Sequence, residues 1–400
     1  MLKQVAVAGR WRLVMTGLVA LVLSALAASV AGMYLGSVRD VLELIPGLMV
    51  LLPPSINMRG SISGVLASRL SSSMHLGEFE VAFEKTSVLG GNLRASLVVT
   101  VLIAFVLGLF AWGVTTLLGE HGIGITDFVL ISVISGIISG IIVLAITILV
   151  AVASHRHGVD LDMIGAPTVT TSGDVVTLPI LIVTALGLLS LDPGLRFGLF
   201  FIVLCAVGVS AVSVRYLTTE VREIVREIVP LLIPLSLLGT FAGATYALDL
   251  DRLISFAALL ILIPPFMGGC GSIGGILCSR LATGMHTGVF YPHLRPEREV
   301  YPHFATTYLY AFVLLPLMAV VAHGAALVMG LSSPGLLAMG LIATGAGIIV
   351  LSLVNIVSYV TASMSFRYGL DPDNFGIPVI TSIIDLLGAA ILIGVINMVL

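Results

Sequence analysis

One stretch of the chain occurs twice, and this repetition limits the possible folds more than any other feature of the sequence. Residues 53–77 read PPSINMRGSISGVLASRLSSSMHLG, and residues 264–288 read PPFMGGCGSIGGILCSRLATGMHTG, an offset of 211 residues without a gap. A second pattern, G-x-D-x-D-x-x-G-x-P-x-x-T-x-x-x-D, begins at 158 and again at 369, with the same offset. Two distant matches that share one offset indicate a duplicated structural unit.

The composition places this duplicated unit in a membrane. The chain is 58% hydrophobic and 10% charged, with a mean hydropathy of +1.17, whereas soluble domains carry about 25% charged residues. We therefore predict an all-α polytopic membrane protein surrounded by a lipid bilayer, without a soluble domain. The sequence has no basic patch for nucleic acid, no phosphate loop and no nucleophile–base spacing, so an enzyme is not expected.

The apolar segments predict eleven crossings, since a span needs about 20 apolar residues. Each half supplies five spans, and one further segment lies in the connector. Because one extra crossing returns the chain to its starting side, we expect two parallel five-helix repeats, related by a pseudo-two-fold axis along the membrane normal. The predicted domains are a first repeat at 1–190, a linker with the extra helix at 191–227, and a second repeat at 228–400. The predicted spans are about 13–36, 41–74, 95–118, 127–153, 165–190, 196–216, 229–248, 253–285, 304–330, 335–365 and 376–399.

The basic residues predict the orientation. With a cytoplasmic N-terminus, 15 of the 18 Lys and Arg residues lie in cytoplasmic segments or their flanks, counting those of the second spans, Arg59 among them. This bias predicts a multi-pass protein of the cell membrane whose C-terminus lies outside. The segment TTEVREIVREIVP, residues 218–230, is predicted to form a short amphipathic interfacial helix before the second repeat.

Two acidic residues lie deep in the predicted fifth spans. Asp174 and Asp385 each follow, by nine residues, the glycine that opens the span, which places them roughly 13 Å into the membrane. A charge there costs at least about 2.5–3.5 kcal/mol, so it normally faces a cavity or a partner. Paired carboxylates with nearby oxygens suit a hard cation such as Mg²⁺. The alternative is a carboxylate that is protonated or hydrogen-bonded between helices.

Further oxygen ligands are expected one turn before each acid. Thr170 and Thr381 could contribute hydroxyl or carbonyl oxygens, and Pro167 and Pro378 would each free a carbonyl if they lie beyond the first helical turn. The alternative interpretation, a proline that starts the helix and a threonine that caps it, remains open.

The second spans are expected to line the ion path beside the fifth spans. Asn57 and Ser61 in the first repeat, and Ser272 in the second, are candidate contacts for a hydrated ion. Close packing of small residues is the alternative explanation for the same residues. The double prolines predict a break or kink in both helices, and each repeated arginine, Arg69 or Arg280, is expected to pair with an acid or a helix C-terminus.

The repeated motifs resemble those of a known family. The run RGSISGVLASRLSS resembles the second-span signature of the MgtE and solute carrier family 41 transporters, and P-x-x-T-x-x-x-D resembles their fifth span. The resemblance implies a divalent-cation transporter or channel with Mg²⁺ as the expected ion and Asp174 and Asp385 as its ligands. One chain would supply both five-helix units and work as a monomeric pseudo-dimer.

This resemblance implies that the ion passes between the two repeats, and it calls for no cofactor, because the ion is the cargo. Two alternatives remain open. One is an exchanger that couples the divalent ion to Na⁺ or H⁺. The other is a membrane scaffold that transports nothing.

Overall fold

The computed structural model contains α-helices joined by short connections. It describes the backbone of residues 2–400 apart from 46, 76–79, 83, 85–86, 120–122, 158–160, 294 and 369–371, and it leaves out the side chains at 2–13, 68, 71–72, 75, 157, 161–170, 220, 286, 372–375 and 377. The helices are α1 (Leu2–Ser37), α2 (Arg39–Leu44), α3 (Leu48–His75), α4 (Val88–Leu117), α5 (Ile125–His157), α6 (Leu161–Leu189), α7 (Pro193–Ser213), α8 (Thr219–Leu248), α9 (Leu250–Ser255), α10 (Ala257–His286), α11 (Tyr301–Val328), α12 (Leu336–Tyr368) and α13 (Pro372–Val399). A 3-10 turn, Val214–Tyr216, precedes α8.

The sequence repeat is also a repeat of helices. The limits of α5, shifted by 211 residues, coincide with those of α12, and the short α2 corresponds in the same way to the short α9. Helix α7 lies in the connector between the two repeats, where the sequence predicts the extra crossing. The all-α fold class is therefore confirmed.

The chain is a multi-pass membrane protein. In the part of the chain that the structure describes, ten helices are long and apolar enough to span a bilayer. Helix α3 is not among them, and it carries Arg59, Arg69 and a run of serines. Its 28 residues would nevertheless reach about 42 Å, enough to cross. The eleven-crossing count therefore depends on α3 and stays a prediction.

The helices form two compact units that do not follow the order of the repeats. One unit comprises residues 38–251, and the other comprises 1–37 together with 252–400. In the first of these, α8 packs against α3 and α4, and in the second, α1 packs against α10 and α11. Each unit therefore contains the first helix of the other repeat. The predicted domain limits describe the repeat in the sequence, whereas packing exchanges its opening helices.

A close backbone contact fixes each exchanged helix. On α8, a Cβ atom added to Gly243 would lie 2.6 Å from the carbonyl oxygen of Val50 in α3. At the equivalent positions, a Cβ on Gly32 of α1 would overlap the carbonyl oxygen of Ile261 in α10. Small residues let membrane helices approach this closely, and van der Waals contact then stabilises the pair. The same contact occurs in both units, with the helices exchanged.

Two local expectations from the sequence differ from the structure. The predicted break at the double prolines is absent, because α3 continues through Pro53 and Pro54 and α10 through the equivalent pair. The kink stays a prediction. Membrane helices tolerate proline because neighbouring helices and side chains satisfy the freed carbonyls. The segment 218–230 does not form a short helix of its own, because residues 219–230 are the opening turns of α8, which packs Val221 and two other apolar side chains of these turns into the unit.

We expect Gly243→Val to destabilise the unit that contains α3 and α8, because the added side chain meets backbone atoms that cannot move aside. Overpacking of this kind costs about 1–3 kcal/mol or more. Thermal unfolding of the purified protein in detergent should show a clear fall in Tm. The matched control is Gly208→Val on α7, where an added Cβ meets no atom within 4 Å. An equal fall in both variants would contradict the proposed contact.

Candidate functional site

Asp174 lies near the middle of the 29-residue helix α6 and is 7% exposed. Thr171 and Thr177 lie three residues before and after it, and this spacing places all three on one face of the helix. Thr177 is fully buried. The first acid is therefore a buried carboxylate on a helix face that also carries hydroxyl groups. The sequence pattern P-x-x-T-x-x-x-D does not include Thr171 or Thr177.

Helix α6 crosses α3 next to this acid. A Cβ atom added to Gly173 would lie 3.6 Å from Cβ of Arg59 and 3.7 Å from the amide nitrogen of Gly60. An added methyl group would thus make ordinary van der Waals contacts, so α6 and α3 approach each other closely one residue before Asp174. The second-span candidates of the first repeat lie on the same turns of α3.

Asn57 and Ser61 lie one turn apart on α3 and are half-buried. The hydroxyl of Ser61 donates to Oδ1 of Asn57 over 3.5 Å, which is a long hydrogen bond. Arg59, between them in sequence, is 1% exposed. Helix α3 thus turns an amide and a hydroxyl to its more open side and a guanidinium to the interior of the bundle.

The second acid, Asp385, lies on α13 and is half-buried. Thr381, one turn earlier, packs its methyl group near Gly271 of α10, where an added Cβ would lie 3.5 Å from Cγ2. Its hydroxyl donates to the carbonyl of Pro378 over 3.1 Å. The hydroxyl oxygen keeps lone pairs that can accept or coordinate. Ser272, the residue after Gly271, is half-buried on α10.

The prolines of the fifth spans lie beyond the first helical turn. Pro378 is the seventh residue of α13, and Pro167 is the seventh residue of α6. Since proline has no N–H group, the carbonyl four residues earlier loses its helical donor. Both helices therefore offer one extra backbone oxygen near their start. The side chain of Thr170 lies outside the described residues.

The oxygen atoms near each acid include threonine hydroxyls on the same helix. Among the described residues, no three His, Cys, Asp or Glu side chains come together. Mg²⁺ keeps several water molecules and is commonly held by one or two carboxylates, so a single carboxylate beside hydroxyl and carbonyl oxygens is compatible with it. Zn²⁺ prefers three or four nitrogen or sulfur ligands, and the described side chains of these helix faces do not offer them.

Arg59 does not lie where the sequence predicts it. The sequence predicts a cytoplasmic flank, but Arg59 lies inside the bundle, where its Nη1 donates to Oγ1 of Thr100 on α4 over 3.1 Å. Two glycines of α5 make room for the guanidinium. A Cβ on Gly136 would lie 3.2 Å from Nη2, and a Cβ on Gly140 would overlap Nη1. One feature of the sequence indicates an unusual environment for Arg59: the second repeat has no arginine at the equivalent position.

The repeated arginines of the second spans have different partners. Nη2 of Arg69 lies 3.6 Å from a carboxylate oxygen of Glu227 on α8, so the expected acidic partner is confirmed there. Nη2 of Arg280 contacts the hydroxyl of Tyr310 on α11 at 3.5 Å. Among the described residues, Arg280 has no acidic partner, and the alternative partner, a helix C-terminus, stays a prediction.

Comparisons with known proteins agree with the repeat. The profile of the MgtE family, described as "Divalent cation transporter", matches residues 52–184 and 263–395. These two ranges have the same offset of 211 residues as the sequence repeat. The two ranges begin in α3 and in α10, so the exchanged helices α1 and α8 lie outside the match.

The curated relatives are members of solute carrier family 41. Member 2 from Xenopus laevis is 26% identical over 394 residues, which cover 90% of this chain and 67% of that protein. Member 3 from Mus musculus is 26% identical over 373 residues, covering 86% and 74%. Member 2 from Homo sapiens is 27% identical over 393 residues, covering 90% and 66%. The chain thus spans about two thirds of the human and Xenopus proteins. No solved structure gives a significant match.

We expect Gly140→Leu to destabilise the protein, because the leucine side chain would occupy the volume of the Arg59 guanidinium. Adding Arg59→Cys and Thr100→Ala to the same chain should restore stability, because the smaller side chains at positions 59 and 100 leave room for the leucine. Neighbouring changes of this kind are strongly non-additive. Thermal unfolding of the single and triple variants measures the effect. A triple variant less stable than Gly140→Leu alone would contradict this packing.

Proposed function

Because the chain belongs to the MgtE family of divalent cation transporters, we propose that it carries Mg²⁺ across a membrane along one path that passes Asp174 and Asp385. The observation that carries the proposal is the recurrence of a mid-helix carboxylate at the same position of both repeats. An ionisable group within a membrane span is costly and normally belongs to a substrate pathway. Duplication of that costly feature favours a function for both copies.

The surroundings of the two acids support a partly hydrated dication as cargo. The described helix faces supply one carboxylate each, with hydroxyls at Thr171 and Thr177 in one unit and at Thr381 in the other. A hydrated Mg²⁺ loses its water reluctantly, so a path of this kind would exchange a few waters for carboxylate and hydroxyl oxygens and leave the rest in place. We propose Asn57, Ser61, Ser272 and Thr170 as outer contacts of the hydrated ion.

We also propose that the N-terminus lies in the cytoplasm and the C-terminus outside. The support is the excess of Lys and Arg in the segments that this orientation places inside. Arg59 no longer counts among them, since it is buried in the bundle, but the remaining basic residues keep the same bias.

We expect Asp174→Asn and Asp385→Asn each to reduce Mg²⁺ flux into proteoliposomes at least tenfold, because one path needs both carboxylates. Asp192→Asn, the same change at an exposed carboxylate before α7, should keep wild-type flux. If each variant lost about half of the flux, the two acids would serve separate paths. If both kept full flux, neither would bind the ion.

The same vesicles separate the alternative functions. A channel or uniporter should carry Mg²⁺ without a second gradient, whereas an exchanger needs an opposing Na⁺ or H⁺ gradient. A scaffold should give no flux under any gradient. Repeating the assay with Mn²⁺, Co²⁺ and Ca²⁺ would establish the preferred ion.

Cysteine labelling should test the orientation. Position 293 lies in the connection between α10 and α11, and its side chain is 63% exposed while its carbonyl accepts from Tyr359. In a chain without Cys205, Cys270 and Cys278, we expect His293→Cys to react with an impermeant maleimide only after the cells are opened. Leu400→Cys should react in intact cells. The reverse pattern would refute the proposed orientation.

A further inference from the structure

Arg59 is a fully buried charge in the unit formed by residues 38–251. Its Nη1 group donates to Thr100, and among the residues that the structure describes neither Nε nor Nη2 has a hydrogen-bond partner. The described ion pairs of this unit do not include Arg59 either. A guanidinium stays protonated in proteins, so the bundle holds a positive charge that its described side chains do not neutralise.

This buried charge is not needed to fill the bundle. Burying a charge without a partner is strongly unfavourable, and the second repeat builds the same arrangement of helices without one. The three positions that hold Arg59, Thr100 and Gly140 in the first repeat carry apolar or weakly polar residues there. At an offset of 211 residues they are Cys270, Ala311 and Leu351.

The two repeats therefore show two ways of packing one interior. In the first, a long cation on α3 faces a glycine on α5. In the second, the small Cys270 on α10 is accompanied by the large Leu351 on α12, and both are fully buried. Since the apolar solution exists in the same protein, a purely structural role does not account for the cation. An ionisable group that a membrane protein keeps at such a cost indicates a function.

The position of Arg59 indicates which function. It lies where α3 packs against α6: a Cβ atom added to Gly173, the neighbour of Asp174, would lie 3.6 Å from Cβ of Arg59. The half-buried candidates Asn57 and Ser61 occupy the adjacent positions of α3. The guanidinium extends away from this crossing toward Thr100. A protonated guanidinium offers no lone pair to a metal ion, so Arg59 would act on the first-repeat site only through its charge. Cys270 supplies no such charge to the second repeat.

We propose that Arg59 is a specificity-determining residue of ion transport, whose fixed charge weakens the binding of dications at the first-repeat site and makes the two acidic sites unequal. The inference rests on the proposed function of Asp174 and Asp385. Conduction requires binding that is strong enough for entry and weak enough for release. In this arrangement Asp385 is the tighter site, and Asp174 is the site from which the ion leaves readily.

The test uses three variants of the full chain. Arg59→Lys keeps the charge, Arg59→Met removes it at similar length, and the triple variant Arg59→Cys, Thr100→Ala and Gly140→Leu copies the interior of the second repeat. Mg²⁺ dissociation constants from titration calorimetry and KM values from vesicle flux are measured for each. We expect both neutral variants to bind Mg²⁺ at least tenfold more tightly than wild type and to turn over more slowly. Arg59→Lys should remain within about threefold of wild type in both constants.

The valence of the ion distinguishes an electrostatic role from packing. The energy of an ion in the field of a fixed charge is proportional to the charge of the ion. Removing that field should therefore lower the dissociation constant of Na⁺, measured by competition, by some factor. It should lower the dissociation constant of Mg²⁺ by the square of that factor. A change of the same factor for both ions would reflect altered packing and would overturn the proposal.

The remaining outcomes are equally decisive. If Arg59→Met does not fold, the triple variant provides the measurement, because its interior is already known to pack in the second repeat. Folded neutral variants with wild-type dissociation constants would overturn the role of Arg59 while leaving the proposed function intact. Absence of any divalent flux from the wild-type protein would instead refute the proposed function, and the role of Arg59 would fall with it.

Discussion

The close approach of the opening helix of one repeat to the second helix of the other is the contact that the rest of the structure depends on. Lipid tails are as apolar as leucine, so membrane helices gain little from hiding apolar surface and associate mainly through tight packing. Gly243 against Val50, and Gly32 against Ile261, bring backbones into direct contact. Each central helix, α3 or α10, is thereby held between an exchanged helix and the fifth-span helix that carries the acid.

This arrangement explains how a polar helix can be kept inside an apolar bundle. Helix α3 carries prolines, serines and arginines that would make it a poor isolated span. Packing against α8 on one side and α6 on the other surrounds it with protein, and Glu227 on α8 pairs with Arg69 near its end. The polar side chains that a pathway for hydrated ions requires can then lie on the remaining face.

The difference between the two repeats is electrostatic rather than architectural. Helix limits and close contacts recur at equivalent positions, but Arg59 with Gly140 is replaced by Cys270 with Leu351. Volume is nearly conserved by exchanging a large and a small residue between two helices, whereas charge is not conserved. Duplication within one chain permits this divergence, because each copy is encoded separately, unlike the identical subunits of a homodimer.

The sequence by itself determined the membrane class, the all-α fold, the duplication and the recurrence of Asp174 and Asp385 in it. Hydropathy can be read from neighbouring residues, and the repeat can be read from the order of residues along the chain. Only the tertiary structure decided that α1 and α8 exchange partners, that the helices continue through their double prolines, and that Arg59 lies inside a bundle instead of at its edge. These features depend on which helices meet. That choice is made by the fit of side chains and backbones far apart in the chain, and no local pattern records it.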